Sequence, residues 1–255
     1  MTRLLKQFLY GTFYLVILAA VGWGIYSFEF KPAPSCFDNQ QNGGEVGVDC
    51  GGDCVACEIK NLRRLEVQSA QLFENDRLYS VSMKIHNPNE TLGAGFFEYR
   101  VQFFDKDSRL LKEAKNNSFI YAGETKQIVE AGISVTNGFP SRAAIAINEE
   151  TAIWVPAEEF SEPDYELKET SSVLEGNQAA VSGAIKNPNN FLIKKIEITA
   201  FLRDNFGART GISKTELSNM EPFEERPFII FIPVSKSLYG QIDLKATEVF
   251  AEILK

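Results

Sequence analysis

Four cysteines, Cys36, Cys50, Cys54 and Cys57, fall within one 22-residue window, and the chain has no others. That window has few apolar side chains, so cross-links or a bound ion must supply the order that burial cannot. In an oxidising compartment the four would close two disulfides, with three pairings open. Cys54-x-x-Cys57, with Cys50 close by, also has the spacing of a thiolate zinc site, a reading that an exported location disfavours. Between the cysteines stand Asp38, Asn42, Glu45, Asp49 and Asp53, hard oxygen donors interspersed with glycines that let carbonyls turn inward. Such a set admits a calcium loop. The spacing is not that of an EF-hand, however, and polar turn residues are the simpler account.

Elsewhere the residues that do chemistry are sparse. Histidine occurs once, as His86, which removes two-histidine metal centres and the His-Glu-x-x-His motif. A triad built on His86 lacks a Gly-x-Ser-x-Gly elbow, and a solvent-facing histidine is the expectation. Gly93-Ala94-Gly95 opens no helix and reads as a loop, not a phosphate cradle. The pairs Glu149-Glu150, Glu158-Glu159 and Glu224-Glu225 are adjacent, so a strand would send the two members to opposite faces. The sequence therefore points to no catalytic residues and no cofactor.

The element that places all of this is the uncharged run from Gln7 to Phe28, between Lys6 and Glu29. As a helix it would reach roughly 33 Å, enough for the ~30 Å hydrocarbon core of a bilayer. A cleaved signal would be shorter and end in a small-x-small site, which the exit Phe28-Glu29-Phe30-Lys31-Pro32 lacks. Arg3 and Lys6 precede the run, so the positive-inside rule puts the amino terminus in the cytoplasm and the remainder beyond the cell membrane. Ala20 and Gly24 form a small-xxx-small pair of a kind that arises by chance in any such span.

Two of the 26 basic residues and one of the 34 acidic residues lie in the first 30 positions, leaving 24 against 33, a net charge of −9. That balance disfavours nucleic acid or an anionic lipid surface as the main partner.

Beyond Cys57 the chain echoes itself. Ile85-His86-Asn87-Pro88-Asn89 returns as Ile185-Lys186-Asn187-Pro188-Asn189, an offset of 100 residues, and Phe103-Phe104-Asp105 is answered by Phe201-Leu202-Arg203-Asp204. A period of that length marks a duplicated domain, not a solenoid. Within each copy the apolar period is two. Tyr79, Val81, Met83 and Ile85 alternate with polar residues, and Asn-Pro-Asn closes the strand. Asp204-Asn205-Phe206-Gly207 is a hairpin turn, and Phe228–Ile232, between Pro227 and Pro233, reads as a buried strand. The expected fold class is all-β: two tandem antiparallel sandwiches after a transmembrane helix, with no further helix. The expected segments are an anchor over residues 1–30, a Cys-rich stalk over 31–57, sandwiches over 58–155 and 165–255, and a polar linker over 156–164.

The Cys36–Cys57 segment resembles a short cysteine motif of prokaryotic cell-surface proteins, which implies an exposed stalk. The Asn-Pro-Asn and Phe-Phe-Asp signatures resemble the late embryogenesis abundant type 2 (water-stress and hypersensitive response) family and bacterial families with a Phe-x-Leu-Tyr-Asp strand end. These imply an immunoglobulin-like sandwich used for binding or structure. The first copy departs from the second in having Asp107 near where the second has Gly207, which bears on the geometry of that turn.

Phe96 and Phe104 lie on the opposite strand phase from Phe97 and Phe103 and could expose an apolar patch. The function expected from the sequence is a non-catalytic membrane protein presenting its sandwiches to a protein or cell-envelope partner. A lipid-handling module with a cavity between its sheets is the second reading, and an enzyme the weakest.

Overall fold

The computed structural model describes residues 3–30, 33–75 and 78–254, in two compact units that divide after residue 62. In the first unit, α1 (Arg3–Ile25) is a 23-residue helix with no buried residue, followed by one π-helical turn, Tyr26–Phe30. It rises about 35 Å and is long and apolar enough to cross a membrane, properties that signal sequences share. The same unit holds the cysteine segment, which ends in a four-residue helix, α2 (Cys57–Lys60). That turn was not expected. It starts directly at Cys57, which explains why the unit continues a few residues past the expected stalk boundary.

The second unit is all-β, and strands account for 55% of the chain against 13% helix. Six strands, β1 (Glu66–Asn75), β2 (Leu78–His86), β3 (Leu92–Phe104), β4 (Leu110–Ile120), β5 (Thr125–Ser134) and β6 (Arg142–Pro156), form two antiparallel sheets ordered β1-β2-β5 and β4-β3-β6. Six more, β7 (Glu166–Glu175), β8 (Gln178–Lys186), β9 (Ile193–Asp204), β10 (Arg209–Met220), β11 (Glu225–Pro233) and β12 (Ile242–Leu254), form sheets ordered β11-β8-β7 and β10-β9-β12. The second set thus repeats the pairing of the first, with β2 and β8 starting about 100 residues apart.

Period-two patterning builds each core. Tyr79, Val81, Met83 and Ile85 of β2 face Phe97, Tyr99, Val101 and Phe103 of β3, and all are at most 2% exposed. In the second sandwich Val181 and Ile185 meet Ile196, Ile198, Ala200 and Leu202. Where Met83 pairs with Ile128, the second sandwich pairs Gly183 with Phe228, and a Cβ on Gly183 would come within 2.8 Å of the Phe228 ring. One bulky ring thus occupies the space that two aliphatic side chains share in the first sandwich.

Phe228–Ile232 is not a strand buried on both faces. Residues 228, 230 and 232 are buried, whereas Ile229 and Phe231 are 49% and 44% exposed. The run lies on an edge strand that includes Pro227 and Pro233, and proline is tolerated there because an edge has N–H positions outside the ladder.

Asn-Pro-Asn does more than stop a strand. Asn87 is fully buried, and its amide donates to the carbonyls of Leu92 (2.8 Å) and Tyr121 (2.9 Å), while its Oδ1 accepts from the Asn89 backbone N–H at 3.1 Å. Asn89 in turn donates to the Arg63 carbonyl at 2.8 Å. Asn187 does the same toward Phe191, Met220 and Glu221. The motif is a corner clamp that satisfies carbonyls where the chain crosses between sheets.

The two hairpin turns also match each other. Asp105 Oδ1 accepts the N–H groups of Asp107 and Arg109, and Asp204 Oδ1 accepts those of Phe206 and Ala208. Ser108 (φ 62°) and Gly207 (φ 84°) take the left-handed position, so the counterpart of Gly207 is Ser108 and not Asp107.

Candidate functional site

In the cysteine segment the sulfurs pair as Cys36–Cys54 and Cys50–Cys57, two interlocked loops. No cysteine is free, so no thiolate remains for zinc. The carboxylates between them turn toward N–H groups. Asp49 Oδ1 accepts from Asp38 and Asn39, both at 2.9 Å, and its Oδ2 faces Lys60 Nζ at 3.2 Å. Glu45 accepts from the N–H of Asn42 (3.2 Å) and Asp49 (3.1 Å). Asp38 accepts from the Asn42 side chain at 2.8 Å, which chiefly holds its carboxyl below the usual range. Asp53 is exposed. A calcium ion needs six to eight oxygens aimed at one point, whereas both carboxyl oxygens of Asp38 and of Asp49, and Oε2 of Glu45, are each directed at a hydrogen-bond donor. Glycine is required where the loops touch: a Cβ on Gly52 would lie 2.3 Å from the Gly44 carbonyl oxygen.

The larger feature is a seam between the two sandwiches. On β9 the residues facing away from the core are Glu197, Thr199, Phe201 and Arg203, a polar pattern broken by one phenylalanine. Phe201 is fully buried all the same, because Phe73 of β1 and Val129 of β5 cover it from the first sandwich. Its ring centroid lies 6.1 Å from that of Phe73 and 5.8 Å from that of Phe250, and the Arg209 guanidinium sits 3.9 Å over its face. Ile212 completes the apolar patch.

Polar contacts rim the seam. Lys214 Nζ donates to the Val129 carbonyl at 2.8 Å and pairs with Glu197 at 2.7 Å. The Gln71 amide donates to the Arg209 carbonyl at 3.1 Å. Arg203 and Arg209 converge on Glu248. Partial burial pushes the Glu248 carboxyl up, but its hydrogen bonds to the two arginines outweigh this and hold it below the ordinary range.

Farther along the seam, Lys126 of β5 is 3% exposed and meets Glu252 of β12, with its Nζ 3.3 Å from the centroid of the Phe119 ring. Burial is the main cause that lowers the Lys126 amine and raises the Glu252 carboxyl to about 7. Beside them the Phe160 ring lies tilted against Tyr121 at 4.7 Å and meets Phe119 edge-on at 6.0 Å. The polar run after β6 is therefore pinned by a buried phenylalanine. A Cβ on Gly93 would strike the Phe160 ring at 2.6 Å, which accounts for a glycine there.

Between the sandwiches an open cleft of about 480 Å³ is lined by both signs of charge, including Glu130, Lys195, Glu197 and Glu216. Lys195 pairs with Glu216 at 2.8 Å, and the Tyr99 hydroxyl donates to Glu130. Burial, with the Glu130 charge, pushes the Tyr99 phenol far up.

Phe96 and Phe104 are both half-buried and lie eight residues apart on β3, roughly 27 Å along the strand. Phe96 lines the cleft, whereas Phe104 sits under the Arg142 guanidinium at 4.1 Å, so the two do not share a patch. His86 Nδ1 lies 3.2 Å from the Glu124 carbonyl oxygen and 3.0 Å from Thr125 Oγ1, with no carboxylate hydrogen-bonded to it among the described residues.

No family model matches the chain, and no curated protein matches it. Among solved structures, a transglutaminase of red sea bream is 10% identical, with 77% of this chain and 32% of that one covered and a TM-score of 0.23. This chain thus spans about a third of that protein's length, and a likeness at that score carries no argument about fold or activity.

The sequence carried a trace of the seam. Phe73, Val129 and Phe201 are apolar residues on strand phases that would otherwise face water. The pairing of Lys126 with Glu252, 126 residues apart, left no such trace.

Proposed function

We propose that the chain is a non-catalytic single-pass membrane protein that presents two extracytoplasmic β-sandwich domains, fixed against each other, to a protein or cell-envelope partner. The observation that carries this reading is the seam at Phe201, which makes one unit of two sandwiches in a chain that begins with a membrane-length apolar helix. Arg3 and Lys6 before that helix favour a cytoplasmic amino terminus. The two disulfides favour an oxidising compartment for the residues beyond the helix. Repetition of the strand order at about 100 residues supports an internal duplication, and the order β1-β2-β5 over β4-β3-β6 supports kinship with immunoglobulin-like sandwiches.

Filled cores favour binding by surface over lipid handling. Phe97, Tyr99 and Phe103, with Ile196 and Ile198 in the second copy, occupy the space between the sheets where an acyl chain would have to lie. Affinity capture of the full chain from detergent-solubilised membranes tests the proposal. A stoichiometric protein or envelope polymer is the expected catch, and recovery of lipid alone would contradict it.

A further inference from the structure

The Lys126–Glu252 contact is more than a buried ion pair in its setting. The lysine is 3% exposed, the glutamate side chain 19%, and neither the amine nor the facing carboxyl oxygen has another hydrogen-bond partner among the described residues. The Phe119 ring closes one side of the amine, and the Phe119–Tyr121–Phe160 cluster lies alongside. Two full charges in such a place cost more to desolvate than an imperfect contact returns, so the pair is driven toward its neutral form, a free amine beside a carboxylic acid. Those are the two reactants of an amide condensation. In water their ionisation blocks that reaction. Here burial removes the block, and two β-strands hold the reacting atoms together, replacing a chance encounter with a high effective concentration.

A third carboxyl stands nearby. Glu124 lies two residues before Lys126, at the end of the turn that leads into β5. Its Oε2 accepts the Tyr121 N–H at 2.7 Å, burial raises its carboxyl, and the Lys126 charge acts on it. Glu162 and Glu197 also act electrostatically on the pair, but Glu197 is engaged by Lys214.

We propose that Lys126 and Glu252 form an intramolecular isopeptide bond that ties β5 of the first sandwich to β12 of the second, with Glu124 relaying the proton. The nitrogen lone pair of the neutral amine adds to Cδ of the protonated Glu252 carboxyl. Glu124 takes one proton from Nζ and delivers it to the departing hydroxyl. The Nζ–Cδ bond forms, the Cδ–OH bond breaks, one water leaves, and the second Nζ proton remains as the amide N–H. Nothing is oxidised or reduced, and no co-reactant is consumed. The result is a covalent lock across the seam, independent of where the protein resides.

Mass spectrometry of the intact full chain, purified from membranes with its disulfides reduced, tests this directly. The wild-type chain should be lighter than its sequence mass by one water, about 18 Da, and its digest should contain one branched peptide joining Lys126 to Glu252. The Lys126→Arg chain, whose guanidinium forms no such bond, should show the full mass. Because the branched peptide is read on the wild type, the test survives a variant that folds poorly. A wild-type chain at its unmodified mass, or an equal deficit in Lys126→Arg, would overturn the proposal.

Discussion

Truncating Phe201 distinguishes docked sandwiches from sandwiches that are merely consecutive in the chain. If the second sandwich stood alone, Phe201 would lie on an outer sheet face among Glu197, Thr199 and Arg203, and Phe201→Ala would change stability by no more than about 0.5 kcal/mol. In the docked arrangement the ring is fully buried between Phe73, Phe250 and the Arg209 guanidinium. Its removal then forfeits transfer free energy and leaves a cavity, together about 3–5 kcal/mol. For a unit of this size each kcal/mol shifts the melting temperature by roughly 2–4 °C, so a fall of roughly 6–20 °C is expected. Calorimetry on the full chain reads the shift. A cycle with Phe73→Ala should add a coupling of about 0.5–1.5 kcal/mol, since the two rings touch across the seam. A loss below about 0.5 kcal/mol with no coupling would refute the docking.

Asn87→Ala strips two buried carbonyls and an N–H of their partners and should cost roughly 2–5 kcal/mol, read as a lower urea midpoint. Gly183→Met overfills the second core against Phe228 by about 1–3 kcal/mol, and adding Phe228→Ile, which recreates the Met83–Ile128 pairing, should recover much of it in the same assay. Opening Cys36–Cys54, a separation of 18, should remove about 3 kcal/mol from the cysteine segment, and opening Cys50–Cys57, a separation of 7, about 2, by the chain-entropy argument. Limited proteolysis of that segment should rank the two in this order. Glu248 has a folded pKa below its ordinary value of 4.5, so its contribution is present above that pH and lost as acid carries the pH through the folded value. The Glu248→Gln chain should show a shallower acid limb in stability measured against pH.

The alternation of β2 and β3 made the sandwich cores legible, because a period of two leaves one face for the interior. Asn-Pro-Asn was legible as a strand end, but not as a clamp, since the carbonyls that Asn87 satisfies belong to Leu92 and Tyr121, and Tyr121 lies 34 residues away. Prolines bracketing Phe228–Ile232 invited a buried strand, yet the same prolines mark an edge. The polar run after β6 concealed Phe160, whose burial depends on a cavity over Gly93 that only the fold creates. Disulfide pairing and the burial of Lys126 were beyond reach for a related reason. Both depend on which distant segments meet, and a lysine in a strand ordinarily faces water.

An epitope tag placed after β12, probed by antibody on sealed protoplasts before and after permeabilisation, tests the proposed placement most directly. The account predicts full labelling before permeabilisation, with both sandwiches outside and the helix retained in the membrane. Labelling that arises only once the membrane is opened would contradict it.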